Sequence, residues 1–426
     1  MEIRTAEIVC VGTEILIGDI VNTNAAYLSR ELAQLGISQY HQSVVGDNPA
    51  RLAEAVQTAL SRADLVLLSG GLGPTYDDLT KETVCRVMGA ELTFDEASYA
   101  RIVSYFTSRN KPMPESNRKQ AMVPAGGVVF QNDQGTAPGV GVWDAKQKKL
   151  AVLLPGPPRE LIPMFAQYVK PYIRQFCTKL LYSKNLNIYG MGESLVESIL
   201  RPVMEQSQNP TLAPYCKEGE VRLRITAACR DEAEGEALCN AMRDQILQTA
   251  VGAYVYGENT DLATATVTAL QKRHLHVATA ESCTGGLLAK SITDIAGASA
   301  VFDGGVVTYA NAMKERMIGV SAKTLQTDGA VSAQTAREMA DGVRRLVGAD
   351  IGISTTGLAG PGGATPTKPV GLVFIGISTA QKNGAVECRF AGDRAHIRHL
   401  AVLRALSMVL AVANGKDVTE LSGDTL

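Results

Sequence analysis

The chain has 426 residues, more than one ordinary core accommodates, and at roughly 150 residues per domain it points to two or three domains. Hydrophobic residues make up 46% and charged residues 20%, a balance that favours folding over disorder. Lys and Arg number 41 against 43 Asp and Glu, and the net charge of −2 argues against a broadly basic nucleic-acid-binding surface.

The start, Met1-Glu2-Ile3-Arg4-Thr5-Ala6-Glu7, carries acids where a secretory signal needs a basic end and an apolar run. The longest apolar runs are about half a membrane span. Eight cysteines (10, 85, 177, 216, 229, 239, 283 and 388) form no CxxC pair, so structural zinc is not expected and reduced, buried thiols are. A cytoplasmic location without membrane association follows as the expectation.

The apolar run Ala6–Val11 reads as a buried strand ending at Gly12, and Asn24–Leu35 has helical spacing up to Gly36. Asp47-Asn48-Pro49 is a helix-entry signal before Leu52–Leu60, and Asp64–Ser69 is a strand entering Gly70-Gly71-Leu72-Gly73-Pro74. Leu150–Leu154 is another strand, running into Pro155-Gly156-Pro157-Pro158-Arg159-Glu160. This alternation predicts a parallel sheet covered on both faces over residues 1–172. Ser183–Tyr189, Glu220–Arg230 and helical Glu232–Ala250 suggest a small α+β unit over 173–257. From Asp261 a second α/β run begins: helix Ala263–Gln271, strand His276–Ala280, helix Gly285–Ile295, strand Val306–Tyr309, helix Ala333–Leu346, strands Ile351–Thr355 and Gly371–Thr379, and helix Arg394–Val412. That module is expected over 258–416, with a polar tail at 417–426.

Two constellations carry chemistry. In the first, Gly70–Pro74 leads into Thr75-Tyr76-Asp77-Asp78-Leu79-Thr80-Lys81-Glu82. Glycines Gly71 and Gly73 let backbone amides approach an anion, and Asp77, Asp78 and Glu82 suit a divalent metal beside a pyrophosphate. The same residues equally suit a tight turn before an acidic first helical turn. Three further polar, glycine-bearing loops accompany it: Gly12–Asn24 with Glu14 and Asp19, Asn132–Gly139, and Leu154–Glu160. Lys119 and Arg159 are phosphate-binding or plain surface charges.

These loops together resemble the molybdopterin-binding fold of the MoaB/MoeA type, in the form carried by the CinA family, over residues 4–170. The Asp77-Asp78 pair replaces the Arg-Asp usual in the molybdenum-cofactor proteins, which argues against a molybdopterin substrate. The resemblance implies an ADP-ribose pyrophosphatase that depends on a divalent cation and admits a monovalent cation beside it. Asp78 is then the metal-binding carboxylate, and Glu14, Asp19 and Glu160 are secondary candidates.

In the second constellation, Glu281-Ser282-Cys283-Thr284-Gly285-Gly286 joins a strand to a helix. Read locally, Ser282 or Thr284 is a helix cap. Cys283 competes as a nucleophile, but no histidine pairs with it convincingly, and packing is the better reading. Tyr309 and Lys314, five residues apart across a strand-to-helix turn, supply a base for a serine: a poorly solvated lysine loses its proton near neutral pH, and a tyrosine hydroxyl can relay it.

The motifs Ala280–Gly286, Ile295–Ser299, Val307–Lys314, Gly329–Ser332, Thr356–Gly363 and Lys368–Gly371 occur in the order of the CinA C-terminal domain, which is similar to nicotinamide mononucleotide deamidase of the PncC type. The resemblance covers about residues 260–412 and implies hydrolysis of nicotinamide mononucleotide to nicotinate mononucleotide and ammonia, without a cofactor. Ser282 is then the nucleophile, Lys314 the base and Tyr309 the relay, with the order of the last two open. Thr284, Gly285, Thr356, Gly357 and Gly360 line the ribose-phosphate pocket or stabilise the oxyanion, and Arg394 or Arg398 takes the phosphate. The middle segment resembles the family's KH-like domain, without a clear Gly-X-X-Gly loop.

The fold expected is therefore α/β, two three-layer modules joined by a small α+β KH-like domain. The partners expected are the two small-molecule substrates and a second copy in a homodimer, with nucleic acid not favoured. Two alternatives stand beside this reading: an adaptor for DNA uptake or damage response with vestigial sites, and a molybdopterin-binding protein.

Overall fold

The computed structural model describes residues 2–144, 148–178 and 180–418; the polar tail lies, from 419 onward, outside the described residues. The chain divides into two compact units, residues 1–183 with 227–237, and residues 184–226 with 238–426.

In the first unit a six-stranded sheet runs in the order Ser38–Val45, Thr5–Val11, Leu65–Ser69, Lys149–Leu154, Gly139–Asp144, Val128–Phe130. The first four strands are mutually parallel and the last two antiparallel. Strand periodicity splits the apolar residues between two cores. Ile8, Cys10, Leu65 and Leu67 pack with Leu28 and Leu32 of helix Thr23–Gln34 and with Leu161 and Phe165. Val9, Val11, Val66 and Leu68 pack with Leu52 and Val56 of helix Pro49–Arg62 and with Val84 of helix Thr80–Met88. The Asp47-Asn48-Pro49 entry is realised with Asn48 as the cap, its Oδ1 accepting from the amides of Ala50 and Arg51 at 3.1 Å each. Strand Ser38–Val45, which the sequence did not single out, is an edge strand of mainly polar residues, half of them exposed, so burial left no pattern to read.

Between residues 180 and 258 a four-stranded sheet, its two outer pairs antiparallel, has the order Thr211–Lys217, Glu220–Cys229, Leu180–Ile188, Val255–Glu258, with helices Glu193–Gln206 and Glu232–Leu247. Helix Glu193–Gln206 had no counterpart in the periodicity.

The sheet of the second unit has the order Phe302–Val307, Val277–Glu281, Ile351–Gly357, Leu372–Ser378, Asn383–Arg389; the first three strands are parallel and the last two antiparallel. Val277, Ile351 and Ile353 pack with helices Leu262–Arg273, Leu287–Thr293 and Arg394–Ala413. Ala278 and Ala280 pack on the opposite face with Met339 and Val343 of helix Ala333–Val347. Helix Arg394–Ala413 is the one described helix with the length and hydropathy of a membrane span, and its apolar side chains are core residues of this module.

An ion pair between a half-exposed arginine and a buried carboxylate ties helix to sheet in the first unit. Glu7, 1% exposed on a central strand, receives Arg62 Nε and Nη2 at 2.7 and 2.8 Å and Ser43 Oγ at 3.2 Å. Removing the guanidinium leaves the buried carboxylate with Ser43 as its remaining side-chain partner, which destabilises the strand. Arg62→Met should therefore speed hydrogen exchange of the Thr5–Val11 amides several-fold, and adding Glu7→Gln should recover part of that loss.

Candidate functional site

In the second unit the sheet's three parallel strands end together. The Ser282 amide donates to Thr355 O at 2.9 Å and the Thr308 amide to Glu281 O at 2.9 Å, so the ends of three strands form one edge. This is where open α/β sheets present ligand sites. The chain then turns through Gly285 and Gly286, at φ +60° and +96°, conformations that side chains with a Cβ disfavour. The helix begins at Leu287, not at Gly285 as the pattern suggested. Its cap is neither Ser282 nor Thr284: the buried Glu281 carboxylate accepts from the amides of Gly286, Leu288 and Ala289 at 2.9, 3.1 and 2.8 Å. Glu281 thus fixes the turn and leaves the Ser282 hydroxyl free of capping duty.

Ser282 meets Lys314. The lysine, on helix Asn311–Ile318, is 1% exposed, and its Nζ lies 3.0 Å from Ser282 Oγ, 2.7 Å from Thr308 O and 3.2 Å from Tyr309 O. Burial pushes its pKa below the ordinary 10.5. Two of the three partners are carbonyls, which only accept. A neutral amine gives its two N–H bonds to them and turns its lone pair to the Ser282 hydroxyl. The neighbouring Cys283 is packed in the core, and burial raises its thiol to about 11, so it is protonated near neutrality.

Tyr309 lies differently from the relay expected of it. Its side chain is 62% exposed, and its hydroxyl accepts from Arg394 Nη2 at 3.2 Å; it is the backbone carbonyl of Tyr309 that touches the amine. Arg394 also donates to Gly360 O at 2.8 Å, and Arg398 Nη2 donates to Thr284 O at 2.6 Å with its buried Nε unpartnered. Arg394 therefore joins Tyr309 to Gly360, and Arg398 fastens the same helix to Thr284 in the Ser282 turn. Thr284 and Thr355 hydroxyls pair at 2.6 Å, both buried. Thr356 and Gly357 make scaffold contacts: Thr356 Oγ1 donates to Ala330 O at 2.6 Å, and a Cβ on Gly357 would lie 2.7 Å from Leu372 O. Sequence reasoning missed Glu281, Thr308 and Thr355 as parts of this site. Their roles depend on strand register, which no local spacing encodes.

In the first unit four loops at the carboxyl edge enclose a cleft of about 420 Å³, lined among others by Glu14, Gly71, Gly73, Asp77, Asp78 and Glu160. Thr75 organises the acids: its amide donates to Asp78 Oδ2 at 2.9 Å, and its one hydroxyl proton is shared between Asp78 Oδ2 and Asp77 Oδ1, each 2.5 Å away. That hydrogen bond holds the Asp77 carboxyl below its usual range. A Cβ on Gly73 would sit 2.3 Å from Asp78 Oδ2, so only glycine admits this carboxylate. Glu160 is held by Asn132 Nδ2 at 2.8 Å. Asp19 is not part of the lining; it lies on the exposed turn, its amide on Glu14 O at 3.0 Å. Lys119 is committed to the acid loop, donating to Thr75 O at 3.1 Å and to Asp78 O, and Arg159 is exposed. Lys81, buried, is fastened to the carbonyls of Lys119, Gln120 and Met122, and burial pushes its pKa down to about 8. Gln120, which the sequence did not single out, lines the cleft and donates to Leu72 O at 3.3 Å. Among the described residues no three acidic, histidine or cysteine side chains converge tightly enough to hold a metal alone. The donor set fits a hard cation of the magnesium type, which takes one or two carboxylates and completes its shell with water and phosphate oxygens.

Three family models match the chain: Probable molybdopterin binding domain over residues 7–175, Damage-inducible protein CinA KH domain over 183–257, and CinA C-terminal domain over 259–413. A CinA-like protein of Kosmotoga olearia is 46% identical over 405 residues, 95% of this chain and 98% of its own, and one of Dictyoglomus thermophilum is 44% identical over 404 residues, 95% and 98%. Among solved structures, competence/damage inducible protein CihA from Agrobacterium tumefaciens is 45% identical, covering 36% of this chain and 93% of its own, at a TM-score of 0.35. Protein CinA from Thermoplasma acidophilum is 34% identical, covering 40% and 98%, at 0.37. The chain belongs to the CinA family.

Proposed function

We propose that the second unit is an amidase that hydrolyses the carboxamide of nicotinamide mononucleotide to nicotinate mononucleotide and ammonia. The observation that carries this reading is the buried Lys314 amine 3.0 Å from Ser282 Oγ, with carbonyls on its other two sides. Ser282 Oγ attacks the carboxamide carbon and its proton passes to Lys314 Nζ. The protonated amine returns that proton to the leaving nitrogen, and ammonia departs. A water then attacks the ester, giving a proton to Lys314, which restores it to Ser282 as nicotinate mononucleotide leaves. Arg394 and Arg398 flank the turn as the phosphate-binding cations, and Tyr309 closes the rim through Arg394. No metal takes part.

Ammonia release from nicotinamide mononucleotide in the presence of a chelator tests this directly. Ser282→Ala should lower the rate about 10⁴-fold and Lys314→Met by roughly 10²–10⁴-fold. Full activity of Ser282→Ala, or no release by the intact protein, overturns the reading. Because the base must be unprotonated and burial lowers its pKa, kcat/KM should fall as pH drops through an inflection placed below 10.5. A pH–rate profile locates that inflection, and none is expected in Lys314→Met.

For the first unit we infer a metal-dependent pyrophosphatase acting on ADP-ribose, supported by the carboxylate-lined cleft at the sheet's carboxyl edge. Asp78, with Asp77 beside it, is the carboxylate that would hold a divalent cation, and such a cation neutralises pyrophosphate charge and activates water when bound. The chain's own share is the fixed Thr75 scaffold and the glycine backbone that admits the phosphates. Asp78→Asn keeps an acceptor for Thr75 but removes the charge. It should cut metal-dependent cleavage of ADP-ribose at least about tenfold; undiminished cleavage would remove Asp78 from the site. A cytoplasmic homodimer completes the reading, and a sizing measurement checks the dimer.

A further inference from the structure

The second unit holds another cavity, about 360 Å³, that neither proposed reaction uses. Its walls include Tyr189, Tyr254, Tyr256, Arg404, Ser407 and Lys416. Arg404 lies ten residues beyond Arg394 on the same helix, roughly 15 Å along it at 1.5 Å per residue. The cavity is therefore separate from the Ser282 turn.

Its chemistry is one-sided. Two cations, Arg404 and Lys416, face it, and no carboxylate is among the described lining residues. Arg404 is only 4% exposed, and its guanidinium acts on the Tyr189 hydroxyl and on the Cys388 thiol. Tyr189 is 9% exposed, and its buried hydroxyl makes no hydrogen bond of good geometry, the Ser407 hydroxyl acting on it only weakly. A buried donor left unused costs about 1–3 kcal/mol unless something else takes it up. Tyr256 differs, because its hydroxyl already meets Glu220 Oε1 at 2.5 Å, leaving its ring as the face it offers. The Tyr189 amide donates to Tyr254 O at 3.1 Å, which ties together the two backbone segments that carry these rings. A cavity of this size, with aromatic walls and a few convergent polar groups, has the make-up of a small-ligand site.

We propose that this cavity is a second small-molecule site of the chain, selective for an aromatic anion. The ring packs among Tyr189, Tyr254 and Tyr256, and the anionic group pairs with Arg404 and Lys416 and accepts from the Tyr189 hydroxyl. A carboxylate and a phosphate satisfy these donors alike, and the test separates them.

Benzoate, phenyl phosphate and phenol are titrated into the full chain by calorimetry and ligand-observed NMR. The expected result is saturable binding of at least one anion with a dissociation constant of about 1 mM or tighter, and binding of phenol at least roughly tenfold weaker. Whichever anion binds more tightly identifies the headgroup. Tyr189→Phe and Lys416→Gln, both of which leave Arg404 in place, should each weaken that anion by about threefold or more. Arg394→Gln should leave it unchanged, since a loss there would put the ligand at the Ser282 turn. Absence of saturable anion binding, equal binding of phenol, indifference to both Tyr189→Phe and Lys416→Gln, or sensitivity to Arg394→Gln each overturns the proposal. Arg404→Met is informative only alongside these variants, because it empties a buried charged position.

Discussion

The burial of Lys314 is the constraint on which the second unit's chemistry rests. A lysine amine that is 1% exposed must find hydrogen-bond partners inside the protein, and here they are two strand-end carbonyls and one serine hydroxyl. Desolvation disfavours the ammonium, while the two carbonyls orient the amine. The carbonyls exist at those positions because Val277–Glu281, Phe302–Val307 and Ile351–Gly357 are parallel and in register, so that their ends fall level. Lysine position, serine position and sheet register are one arrangement.

Glu281 plays the complementary part. A carboxylate on the last residue of a central strand is an unusual element of a buried sheet, and three amides of the following turn satisfy it. Two consecutive glycines with positive φ make the turn tight enough for those amides to point back at it. The hydroxyl residues of the motif are thereby released from capping: Ser282 turns to the lysine and Thr284 to Thr355. Cys283, whose position before a helix would suggest reactivity, is instead a core thiol.

The first unit solves a related problem with opposite charge. Its cleft gathers acids on loops after parallel strands, and Thr75 binds both Asp77 and Asp78 so that two like charges stand side by side. Lys119 reaches the backbone of the same loop, and Lys81 fixes the carbonyls of the segment that carries Lys119. Cationic side chains near this site thus hold the acid loop in shape.

The alternation of apolar runs and glycine turns determined the α/β layers, and the residue types at 71–78 and 280–286 marked both sites, because buried parallel strands and tight phosphate-sized turns each need a short, local vocabulary. Family resemblance in those same motifs named Ser282, Lys314 and Asp78. What lay beyond local pattern was every assignment that depends on which strand ends meet: the carbonyls of Thr308 and Tyr309 on the amine, Glu281 in place of a serine cap, and Thr356 and Gly357 as scaffold. Polar edge strand Ser38–Val45 and the antiparallel strand Asn383–Arg389 were likewise unreadable, since exposed residues on one or both faces erase the apolar run. Tyr309 shows the limit most plainly. Its spacing from Lys314 placed it at the amine, but only the tertiary structure decided that its carbonyl goes there and its ring turns outward to Arg394.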